Sequence, residues 1–201
     1  MNDHHPHQQH PAAAGHQHAG DDFDFSAFAE LLDLDAEVFH EYLSAAIAWV
    51  HDLAADRPVR RILDLGCGTG TGALALAACF PDADVTAVDQ SAELLAHLQA
   101  KAARLGRAGQ VHTVEADVDG PWPAGGPVDV VWISMALHHL ADPAQALAKI
   151  FAGLRPGGLL AVAELTGSLR FLPDDLGIGN PGLEARLVAL ADEFRRAALP
   201  H

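Results

Sequence analysis

Apolar residues change their period along this chain. Between Leu34 and Leu53 they fall at Val38, Phe39, Tyr42, Leu43, Ala46, Trp49, Val50 and Leu53. That is a broad stripe at helical spacing, with Glu37, Glu41, Ser44 and Asp52 mostly opposite. A shorter helical segment, 25–32, precedes it, and Arg57-Pro58 closes the region. From Val59 onward, short continuous apolar runs alternate with amphipathic stretches. The expected strands are 59–65, 85–89, 111–117, 128–134 and 159–165. The first expected helix between them spans 71–79. A second follows the cap Ser91, with Leu94, Leu95, Leu98, Ala102 and Leu105 inward and Gly106 as its stop. A third follows Asp142-Pro143, a cap followed by proline at the first helical position, and ends at "LRPGG".

Continuous apolar strands alternating with helices predict a doubly wound α/β fold, a Rossmann-like parallel sheet with helices on both faces. Ligands of such folds bind beyond the carboxyl ends of the strands. After 165 there is a loop and one more amphipathic helix, with Leu183, Leu187, Leu190 and Phe194 on one face. No strand is expected there, so the fifth strand or its far neighbour is expected to be an open apolar edge.

Composition narrows the partners. The 201 residues are half hydrophobic, enough for one domain with a sizeable core. A formal charge of −15 argues against nucleic-acid phosphate and anionic membrane surfaces as partners. Neither a membrane-spanning run nor a signal-peptide core stands out. Cys67 and Cys79 form no disulfide framework and suit a reducing cytoplasm. The opening "MNDHHPHQQHPAAAGHQHAG" is low in complexity and expected to be a solvated tail; its histidines lack the spacing of a tetrahedral metal site, and no metal is expected.

The densest chemistry lies in "RILDLGCGTGTGALAL". Glycines at 66, 68 and 70 give G-x-G-x-G, whereas a dinucleotide fingerprint needs glycine at 66, 68 and 71; position 71 is threonine. No lysine stands near, so the loop is not a triphosphate cradle. Asp89 ends the second strand, where a carboxylate can accept from a ribose diol. Asp117 ends the third, placed for an exocyclic amine of adenine. A nicotinamide dehydrogenase is disfavoured by the misplaced third glycine.

"ILDLGCGTG", "VTAVDQS", "VEADVD", "VDVVWISMALHHLADP" and "LRPGGLLAVAEL" resemble, in order and spacing, the motifs of the class I S-adenosylmethionine-dependent methyltransferases. "ALHHLADP" looks most like the branch that methylates small molecules. The resemblance implies S-adenosyl-L-methionine as cofactor and a small-molecule acceptor. Asp64, Gly66, Cys67, Gly68 and Gly70 would line the amino-acid tail, Asp89 would hold the ribose, and Gln90 would lie beside the adenine. Asp117 and Val118 would read the adenine edge, and Ser134 would lie near the methionyl part. Methyl transfer needs a base only for a protonated nucleophile, and His139 followed by His138 are the candidates. Phe39, Tyr42 and Trp49 are candidates for a lid, although most of their stripe is expected to pack on the domain; Trp132 is expected in the core. Glu164 faces either the acceptor or the following loop.

The chain thus divides into a tail (1–20), a helical lid (21–57), the cofactor domain (58–165) and an acceptor-side segment (166–201). The resemblance implies an antiparallel hairpin after the fifth strand. Its absence here makes the expected chain a C-terminally truncated one, with a cofactor-binding module without turnover as the alternative function.

Overall fold

The computed structural model describes residues 24–123, 125–164 and 171–198. The His-rich tail and Leu165 lie outside them. Five strands, all parallel, form one sheet: β1 (Arg61–Leu65), β2 (Asp84–Asp89), β3 (Val111–Glu115), β4 (Val128–Ser134) and β5 (Leu154–Ala163), in the order β3-β2-β1-β4-β5. The order reverses beside β1, which places the switch point at the glycine loop.

Strand alternation sorts the core into two layers. Ile62, Val85, Ala87, Val130 and Trp132 meet the apolar faces of α2 (His40–Leu53), α3 (Thr71–Cys79) and α4 (Ala92–Arg104). Leu63, Leu65, Val88, Val131 and Ile133 point the other way, toward Ile150 of α5 (Pro143–Gly153) and Trp122. Helices therefore cover both faces, as the pattern predicts, and Trp132 is buried. Caps behave as read: Ser91 Oγ accepts from the Leu94 amide, and Asp142 accepts from the Gln145 amide with Pro143 at the helix start.

Three expectations change. The N-terminal stripe is not one helix. A break at Phe39 separates α1 (Phe25–Val38) from α2. Ile47, Val50 and Ala54 face the core, while Val38, Tyr42, Trp49 and Leu53 are exposed. At the other end of the domain, α5 stops at Gly153 and β5 begins at once, so "LRPGG" enters the strand. A register irregularity between Val128 and Val130 absorbs those residues. Leu105 caps α4 and is exposed rather than inward.

β5 is one edge of the sheet among the described residues, β3 being the other, and Leu160 and Val162 are exposed on β5. The final helix α6 (Leu183–Ala198) forms, but its apolar face is exposed at Leu183, Leu187, Leu190 and Phe194. No described helix is long and apolar enough to cross a membrane.

Candidate functional site

The loop after β1 is held by backbone. The amides of Gly66 and Cys67 both donate to the Val88 carbonyl at 2.9 Å, and that of Gly70 donates to Cys67 at 2.8 Å. Gly66 and Gly70 have positive φ and no room: a Cβ on Gly66 would come within 2.4 Å of Ala136 Cβ, and one on Gly70 within 2.1 Å of Leu98. These glycines serve close packing within the protein. Gly68 differs, for its nearest neighbour would be Leu32 of α1 at 3.7 Å. It is the point where the loop's backbone is open to approach.

Asp89 governs that point. One carboxylate oxygen accepts the Gly68 amide at 2.8 Å and the other accepts the Ser91 amide at 3.0 Å. Its remaining lone pairs are free for further donors. Gln90 beside it is exposed. Asp117, past the end of β3, is exposed and accepts from the Asp119 amide at 2.9 Å, so it also builds a turn. Val118 packs partly into the lower core. Ser134, half-buried, ends β4.

Below the loop, Asp64 is buried on the α3 side. Burial, partly offset by the Ala73 amide and reinforced by the charge of Asp89, pushes its carboxyl up to about 7. Its Oδ2 and the indole Nε1 of Trp132 lack hydrogen-bond partners among the described residues. Both flank Gly72, where a Cβ would lie 3.0 Å from Oδ2 and 2.8 Å from Nε1. Cys67 is buried, and burial pushes its thiol up beyond any physiological range; it is a packing residue rather than a nucleophile.

The next wall of the loop rises from β4. Met135 adopts φ +56°, the single non-glycine residue in the left-handed region among those described. Such strain clusters at functional sites. Ala136 then packs on Gly66, and a 3₁₀ turn, Leu137–His139, carries both candidate histidines. Their rings lie 3.9 Å apart, tilted by 45°. Glu164, just beyond β5, accepts the Leu137 amide at 2.7 Å and contacts His138 Nδ1 at 2.8 Å.

One participant escapes sequence reading. Asp33 of α1 reaches His97 Nε2 at 2.9 Å and Lys101 Nζ at 2.8 Å, both on α4, and bonds the Thr69 side chain in the glycine loop. No local motif marks it, because its partners stand far away in sequence. Phe39, Tyr42 and Trp49 make no comparable contact with the loop; Tyr42 and Trp49 face solvent. A separate cleft lined by His51, Arg57, Arg60, Cys79 and Phe80 opens at the amino end of the sheet, away from this chemistry. Among the described residues no group of side chains has the makings of a metal site.

Residues 62–158 match the family described as methyltransferase domain. Trans-aconitate 2-methyltransferase of Deinococcus radiodurans is 35% identical over 127 residues, which are 62% of this chain and 46% of that protein. The chain spans about half or less of the curated relatives it matches. Among solved structures, coclaurine N-methyltransferase bound to N-methylheliamine and SAH superposes with a TM-score of 0.50 at 25% identity, over 59% of this chain and 35% of that one. The [4+2]-cyclase SpnF gives 0.54 at 26%, over 60% and 44%. The five-stranded parallel sheet and the glycine loop at its switch point coincide with the matched methyltransferase domain, residues 62–158, which resembles the class I S-adenosylmethionine-dependent methyltransferases.

Proposed function

We propose that this chain binds S-adenosyl-L-methionine across the carboxyl ends of β1, β2 and β3 and methylates a small molecule. The observation that carries this is the Asp89 carboxylate on the Gly68 amide, which joins a diol-binding group to the open point of the glycine loop. The donor set suits this cofactor. Asp89 brings a carboxylate to the loop and no lysine stands in it, matching a ligand with cationic sulfonium and ammonium groups and no phosphate.

Asp64, Gly66, Cys67, Gly68 and Gly70 form the floor for the amino-acid tail. Asp89 takes the ribose and Gln90 flanks the adenine. Asp117 and Val118 meet the base edge, and Ser134 stands at the methionyl end. When bound, the cofactor supplies a methyl carbon already activated by its sulfonium leaving group. The protein's work is then orientation and exclusion of water. His138 and His139 are the candidates to take an acceptor's proton, supported by their place on the turn that follows β4.

A second reading, cofactor binding without methyl transfer, is favoured by the likeness to a protein named as a cyclase. Titration calorimetry with S-adenosylmethionine tests the shared part. Release of S-adenosylhomocysteine with a metabolite extract, alongside a small molecule gaining the mass of one CH₂, separates the two. No binding by the intact chain, or NADH competing better than S-adenosylhomocysteine, would overturn both.

A further inference from the structure

Glu164 spans two strands. Its backbone follows β5, yet its carboxylate closes on the turn after β4, with Oε1 on the Leu137 amide and Oε2 on His138 Nδ1. An ionised carboxylate only accepts, so the proton of the second contact sits on Nδ1. The neutral imidazole then carries its lone pair on Nε2. The opposite tautomer would set two lone pairs against each other at 2.8 Å. The His138 side chain is 53% exposed, and Nε2 has no partner among the described residues. Among the described residues, His139 has no carboxylate contact to fix its tautomer.

We infer that Glu164 is a positioning residue that holds His138 as the Nδ1–H tautomer, making Nε2 the base for an acceptor whose nucleophile arrives protonated. The turn is set for this. Ala136 presses on Gly66, so the imidazole is carried by the segment that walls the glycine loop. Strain at Met135 turns that segment out of β4. Among the described residues, the titratable groups in contact with His138 are Glu164, just beyond β5, and His139 from its own turn.

The acceptor class follows from the chemistry. A carboxylate is already a nucleophile at neutral pH, needs no base and would meet the charge of Glu164. A hydroxyl needs one. Its O–H bond breaks, the proton passes to Nε2, and the electron pair left on oxygen would form the bond to the methyl carbon as the bond from that carbon to sulfur breaks, its electron pair leaving on sulfur to give neutral S-adenosylhomocysteine. This choice of acceptor rests on the methyl-transfer reading above; the tautomer does not.

The test therefore begins without cofactor. Nitrogen-15 NMR of the full chain at pH 8 should show His138 as Nδ1–H. In Glu164→Gln a single acceptor oxygen serves two donors, and the signal should move toward a tautomer mixture. Carbethoxylation of His138 by diethyl pyrocarbonate, followed by mass spectrometry, should slow several-fold in that variant while His112 is unchanged. A wild-type His138 in the Nε2–H form overturns the inference even if the variant fails to fold. So does a tautomer that ignores Glu164→Gln, or a methylated carboxylate as the only product. S-adenosylmethionine failing to bind while the Nδ1–H form persists would sink the methyl-transfer reading and leave the positioning role standing.

Discussion

The Gly68 amide donates to the Asp89 carboxylate across 2.8 Å, so the glycine loop and the end of β2 move as one piece. Asp89→Ala should remove both the loop's tether and the proposed ribose acceptor. Hydrogen bonds to charged groups contribute about 1.5–3 kcal/mol each. Calorimetry should therefore show S-adenosylmethionine affinity falling roughly tenfold or more. Asp89→Asn, which keeps one acceptor oxygen, should fall between. Unchanged affinity in the alanine variant would mean the cofactor sits elsewhere.

Asp64 makes stability depend on pH in an uncommon direction. Its folded carboxyl titrates near 7, against an ordinary value of 3.8. Between those values the unfolded chain has lost the proton that the folded chain keeps, so stability falls as pH rises from about 4 to 7 and is flat above. The effect is on the order of a few kcal/mol. Urea unfolding across this range should show that slope, and Asp64→Asn should flatten it. A wild-type curve rising through pH 5 to 7 with no change in the variant would refute a protonated Asp64.

The Asp33 latch works with the opposite sign. Burial pushes its carboxyl up, but hydrogen bonds from Lys101, Thr69 and His97 outweigh that and hold it at about 2. Its contribution is present above pH 4 and disappears as pH falls toward 2. The group is partly solvated, so the expected loss in Asp33→Asn at pH 7 is about 1 kcal/mol. The difference from wild type should vanish near pH 2. Protease cleavage within 25–38 should also quicken in the variant, because α1 loses its hold on α4.

His138→Gln tests the acceptor side once a substrate is in hand. General bases contribute about 10²–10⁴-fold. kcat should drop within that range while S-adenosylmethionine affinity stays put, and the acidic limb of the pH–rate profile should disappear. His139→Gln should keep that limb. If the two variants trade places, His139 is the base.

Much of this was legible because it is local. The bounds of α3, the Ser91 cap and the Asp142-Pro143 start are encoded by neighbours three or four residues apart. What stayed hidden depends on chain segments meeting. Nothing near Phe39 marks a helix break, since the apolar stripe runs through it. The start of β5 at Leu154 is dictated by pairing with Val128, which overrides the stop signal of Pro156 and its glycines. Asp33 and Glu164 acquire their roles only from partners 68 and 27 residues away. The glycine pattern was visible, yet only packing against Ala136 and Leu98 separates the structural glycines from Gly68.

At the far end of the sheet, Asp129 accepts the amides of Arg60 and Arg61 at 2.8 and 2.9 Å and pairs with Arg155 at 2.8 Å. One buried carboxylate thus rivets β1, β4 and β5 together at the amino end of the sheet, away from the glycine loop. The sheet is anchored at its base, apart from the loops at its rim. Such an arrangement lets loops at the rim be exchanged without reopening the question of whether the domain folds, and it gives new acceptors a route into an old scaffold.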